Sequence, residues 1–132
     1  MRYNIFVVSL ILLILAQGCI RNPQNFRSFK LPSGKEVKVT SMAKMEFPNS
    51  DPALVLNYLT DLSIDDKTSL RKEVDEIWEV FQKDVENAHL KGGVIRATHV
   101  VGSGFVQSGK GYGFVFVKRD DGKWHCLEDD KK

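Results

Sequence analysis

The sequence predicts an α+β domain: an antiparallel β-sheet with one long α-helix packed on one face, in the order ββαβββ. Three observations predict it. Residues 36–47, EVKVTSMAKMEF, alternate: Val37, Val39, Ser41, Ala43, Met45 and Phe47 fall on one side, and Glu36, Lys38, Thr40, Met42, Lys44 and Glu46 on the other. Such alternation is the mark of a half-buried antiparallel strand. Residues 65–90 change period, with Leu70, Val74, Ile77, Trp78, Phe81, Val85 and Ala88 recurring at spacings of three and four. That is one apolar helical stripe, with Arg71, Lys72, Asp75, Glu76, Glu79, Lys83 and Glu86 outside it. The last stretch, FVFVKRDDGKWHC, places Asp121-Gly122 between two strand-like runs, a strong hairpin signal.

Taken in order, residues 26–31 are a candidate hairpin partner for the strand at 36–47, because LPSG between them is a turn. PNSDP ends that strand. Residues 53–60, ALVLNYLT, are apolar on both faces, which suits a central strand. Ser63 or Asp65 can cap the helix, and Asp65 and Asp66 suit its positive end. Lys91-Gly92-Gly93 stops it. A helix with one greasy face needs a broad partner, and the sheet supplies one. Residues 94–101, 112–119 and 123–127 are the three following strands, with GSGFVQSGKG as a corner or a strand with a loop. EDDKK reads as a solvated tail.

At 132 residues there is room for one domain. The chain divides into residues 1–18, a signal peptide; 19–34, a tether and first strand; 35–128, the folded domain; and 129–132, the polar tail. Nineteen basic and seventeen acidic residues give a net charge of +2, without the clustered basic surface that nucleic-acid binding needs. Arg2 precedes an apolar run, Ile5 to Ala16, of about a dozen residues, shorter than the roughly 20 of a membrane span and suited to a secretory signal. The expected setting is therefore the cell envelope, where disulfides can form.

Leu15-Ala16-Gln17-Gly18-Cys19 resembles the lipobox of bacterial lipoproteins. The resemblance covers residues 1 to 19 only. It implies cleavage after Gly18 and lipidation at Cys19, with membrane attachment through the acyl chains. Several acyl chains are what stable anchoring requires. Ile20, rather than Asp, after the cysteine implies the outer membrane, periplasmic side, in a Gram-negative cell. The alternative is an ordinary signal with Cys19 bridged to Cys126, closing a loop of about 100 residues worth ~4–5 kcal/mol in the chain-entropy model. With Cys19 acylated, Cys126 is expected to be a buried thiol. The closing hairpin also resembles those of cystatin-like and NTF2-like sheets, a likeness confined to one hairpin that carries no residue roles.

Apparent catalytic motifs dissolve on inspection. GFVQSGKG (104–111) lacks the Ser or Thr of a phosphate loop after its lysine and is followed by a strand. Ser41-Met42-Ala43-Lys44 spells S-x-x-K, but on a strand positions three apart point to opposite faces. His89, His99 and His125 match no compact ligand spacing, so no metal and no cofactor are expected.

Tyr112, Phe114 and Phe116 line one face of their strand; Val115 and Val117, with Gly113, line the other. A single helix covers one sheet face only. The second face is either shielded by residues 26–31 and the curl of the sheet, or is a binding or dimer face, for which Tyr112, Phe114 and Phe116 are the candidates. The resulting expectation is a small lipid-anchored envelope protein acting as a non-enzymatic binding module for an envelope protein or apolar ligand. The alternatives are a lipid-anchored inhibitor or immunity-type protein touching its target through 102–111, and a small envelope enzyme.

Overall fold

A computed structural model describes residues 27–103 and 106–131; Cys19, the lipobox, the signal and the tether lie outside them. The strands are β1 (Arg27–Lys30), β2 (Glu36–Phe47), β3 (Ser50–Leu59), β4 (Gly92–Ser103), β5 (Val106–Lys118) and β6 (Trp124–Cys126). One helix, α1 (Lys67–Asn87), joins β3 to β4, and a 3-10 turn, Leu127–Lys131, follows β6. The six strands form one curled sheet in the order β1-β2-β3-β4-β5-β6.

This sheet is mixed, not antiparallel as the sequence predicted. The pair β3–β4 is parallel, with Leu54 opposite Gly93 and Tyr58 opposite Ala97; the other four pairs are antiparallel. The cause is the helix. Its 21 residues span about 32 Å and carry the chain back to the end of the sheet where β3 began. The next strand must then run with β3, the connection that adjacent parallel strands require. Three strands, rather than two, precede the helix, because residues 27–30 pair with 36–39.

Asp66 caps α1, its side chain accepting from the Ser69 backbone N–H at 3.1 Å. That contact holds its carboxyl below the usual range. The helix ends earlier than expected. Ala88 is its C-cap and His89 takes the left-handed conformation at φ 57, while Gly92 and Gly93 belong to β4. Leu70, Val74, Ile77, Phe81 and Val85 of α1 are buried against Val37, Val39, Leu56, Tyr58, Ile95, Ala97, Phe114 and Phe116 of the sheet. Trp78 stacks on Phe116 with ring centroids 4.2 Å apart and meets Trp124 edge-on at 5.0 Å.

A bulge in β2 decides what reaches the other sheet face. Val39 pairs with Tyr58, but Ser41 pairs with Asn57, so Thr40 is an extra residue. Cross-strand partners share a face. Val37 and Val39 therefore point to the helix, while Ser41, Ala43 and Met45 point away from it and Met42 packs on the core. The unbroken alternation expected for 36–47 would have put Val37, Val39, Ser41, Ala43 and Met45 on one side and Met42 on the other. One inserted residue reverses the sense of the strand after it, as far as Met45, where the register shifts again.

The C-terminal segment is not a free tail. Tyr112 Oη donates to Glu128 at 2.8 Å, Arg71 holds Asp129 with two hydrogen bonds at 2.8 and 3.2 Å, and Arg119 reaches Asp130. These contacts fold 127–131 back against the helix and β5.

Candidate functional site

The sheet face away from α1 is built from rows of cross-strand neighbours. Ala43, Val55, Val94 and Val115 make one continuous apolar row. Met45, Ala53, Gly92 and Val117 make the next; a methyl built at Gly92 would touch the Ala53 methyl at 3.2 Å. On the other flank, Ser41, Asn57, Arg96 and Gly113 form a polar row, with Asn57 Nδ2 donating to Ser41 Oγ at 2.8 Å.

The apolar rows form the floor of an open groove of about 1010 Å³, at the upper end of what small-molecule sites occupy. Val55 is buried in that floor, and Val94, Val115 and Val117 are half-buried. Phe47 and Leu127 also line the groove. Among the described residues five large hydrophobic side chains are exposed, and three of them, Met45, Phe47 and Leu127, face this one groove. These three are clustered rather than scattered over the surface. The charged side chains around it are Lys91, Arg96, Lys118 and Asp51.

Phe114 and Phe116 lie under the helix at 2 % and 4 % exposure. Tyr112 is half-buried, with Lys67 Nζ 3.3 Å from the centre of its ring. These three side chains thus belong to the helix-covered face, and the open face carries the alternate set Gly113, Val115 and Val117. The pattern in 112–117 separated the two sets; which set the helix would cover was not written in the strand itself.

A second cluster lies inside the fold. Glu73, 5 % exposed, accepts from Tyr58 Oη at 2.9 Å and Thr60 Oγ1 at 2.6 Å through one oxygen, and from Lys35 Nζ through the other. Burial, then the neighbouring Glu73 carboxylate, pushes the Tyr58 hydroxyl far above its ordinary pKa. With each carboxylate oxygen bonded and Glu73 itself buried, this cluster is a structural tie between helix and sheet. The sequence signal was available: Glu73 interrupts the apolar stripe, three after Leu70 and four before Ile77.

Ser41 and Lys44 sit on opposite faces of β2, since Ser41 pairs with Asn57 and Lys44 with Leu54. Residues 106–111 of the glycine-rich stretch are strand, with no helix after them. His99 Nδ1 is 3.1 Å from the Thr60 carbonyl, His89 closes the helix, and His125 Nε2 is 3.6 Å from Asp121. Among the described residues no three His, Cys, Asp or Glu side chains gather as a metal site. Cys126 is a buried thiol whose pKa is pushed up by burial. No protein family, curated protein or solved structure matches the chain.

Proposed function

We propose that this chain is a small, non-enzymatic binding module of the cell envelope, held to a membrane through a lipid on Cys19. The apolar groove across β2, β3, β4 and β5 is its binding site. The supporting observation is the gathering of Met45, Phe47 and Leu127 over a valine floor that the helix leaves uncovered. Leaving that much apolar surface in water is unfavourable by about 25 cal/mol per Å², and an occupant removes the cost. The anchor rests on the lipobox pattern at 15–19.

Two measurements test this reading. Mass spectrometry of the N-terminal peptide, from protein made with its full leader in a bacterial host, should find Cys19 acylated; an unmodified Cys19 defeats the anchor. An uncharged fluorescent apolar dye should bind the mature chain, and Val115→Asp should abolish its binding without unfolding the protein. Dye binding unchanged by V115D defeats the groove.

A second reading has its own observation. β4 and β5 continue as a two-stranded arm past Thr98, where β3 ends, and Val100 and Val101 are 43 % and 48 % exposed on it. That arm suits an inhibitor or immunity-type protein, which would lose its target on V100D/V101D while the groove variant would not.

A further inference from the structure

We infer that the occupant of the groove is a single-chain amphipath with an anionic head, its tail on the valine floor and its head on Arg96. This inference rests on the groove being a binding site and adds the chemistry of what it binds.

Arg96 differs from the other arginines in its partners. Four arginines lie among the described residues. Arg71 is clamped by Asp75 and Asp129, Arg119 pairs with Asp130, and Arg27 sits 5.4 Å from the Phe29 ring. Arg96 alone among them has no ion pair, hydrogen bond or ring partner, and it is exposed in the groove. Guanidinium groups are suited to bidentate capture of a carboxylate or phosphate, and this one is left unspent.

Arg96 stands where the apolar floor gives way to the polar row of Ser41 and Asn57. Its cross-strand neighbour is Gly113, and a methyl built there would already lie 3.6 Å from Arg96 Cγ, so the absence of a side chain opens the space beside the guanidinium stem. From Arg96 to Gly92 the floor runs four residues along β4, about 13 Å. That length takes a medium acyl chain laid along the strands.

The charge around the groove is mostly positive. Lys91 and Lys118 stand at the other end of the floor, tied by the Lys118 N–H donating to the Lys91 carbonyl at 2.9 Å. Neither is ion-paired among the described residues. Among the described residues Asp51 is the single acid lining the groove. An anion is favoured over a cation, and the apolar floor excludes a purely polar one.

The test uses the mature chain without its lipidated Cys19, residues 20–132; among the described residues every core member falls between Phe29 and Cys126. Calorimetric titration compares dodecanoate, dodecanol and dodecylammonium below their aggregation concentrations. Dodecanoate should bind most tightly. Arg96→Gln should weaken it about tenfold, the order of one charge-assisted hydrogen bond, and leave dodecanol unchanged, while Arg96→Lys should recover part of the loss. Equal affinity for all three, or an R96Q variant that binds dodecanoate as tightly as the parent, overturns the anionic head and leaves the groove standing as an apolar site. Failure of all three to bind overturns the groove reading and this inference together.

Discussion

Trp78 stands directly on Gly93. A methyl group built at Gly93 would fall 2.7 Å from Trp78 Cζ3, closer than carbon atoms approach, and 3.1 Å from Val85 Cγ2, a tight contact. The ring is sandwiched between that bare backbone and the core, stacked on Phe116 and flanked by Phe81 and Trp124. It cannot retreat without breaking those contacts. Gly93→Ala should therefore lower stability by about 1–3 kcal/mol, the usual cost of overpacking a filled core. Gly113→Ala meets only ordinary contact and should cost far less. Urea unfolding of the two variants makes the comparison.

Glu73 joins helix, sheet and the β1–β2 turn through one buried carboxylate. Removing the carboxylate leaves the buried Tyr58 and Thr60 hydroxyls without their acceptor, so Glu73→Ala should destabilise by about 1–3 kcal/mol for each. Tyr58→Phe should cost about 1–3 kcal/mol, because Thr60 and Lys35 still serve the carboxylate. Lys35, partly exposed, matters less. A double-mutant cycle between positions 58 and 73 should give a coupling clearly above zero.

His89 occupies a left-handed position at the helix end, where its backbone N–H donates to the Glu86 carbonyl at 3.0 Å. Glycine is the usual residue in that role. His89→Gly should raise the melting temperature, with a gain of up to about 1 kcal/mol once the greater freedom of glycine in the unfolded chain is subtracted.

Acid should loosen the C-terminal segment. Lys131, and then Tyr112, hold the Glu128 carboxyl below the usual range; Trp124, and then Gln82, do the same for Glu86. A carboxyl depressed in the folded state takes up its proton more readily once unfolded. Its contribution is thus complete above the ordinary glutamate value of about 4.3 and is lost as pH falls through the folded value. Stability measured between pH 6 and 2.5 should fall on the acid side, and Tyr112→Phe with Trp124→Phe should flatten the fall. Tyr58 acts at the opposite end: its raised pKa contributes stability below about pH 10 that is lost as pH rises further.

The helix and most strands were legible because their periods are strong: β2 matches residues 36–47, and α1 falls within two to three residues of the expected bounds. Three features were not legible, each for a physical reason. Parallel pairing of β3 with β4 follows from the helix crossing the sheet, a tertiary fact. The bulge at Thr40 carries no local mark, since EVKVTSMAKMEF alternates equally well with or without it, yet it sends Met45 to the groove. The orientation of β5 was readable only as two alternating sets, so Tyr112, Phe114 and Phe116 could be grouped but not assigned to the covered face. Glu73 was readable in principle, as a charge inside an apolar stripe.

Whether the face opposite the helix is a ligand site is decided by carbon-13 methyl NMR of the mature chain during addition of dodecanoate. Shifts are expected at Val55, Val94, Val115, Val117 and Met45, with Val74 and Val85 under the helix unmoved. Shifts centred on Val100 and Val101, or no shifts at any methyl at saturating ligand, would contradict it.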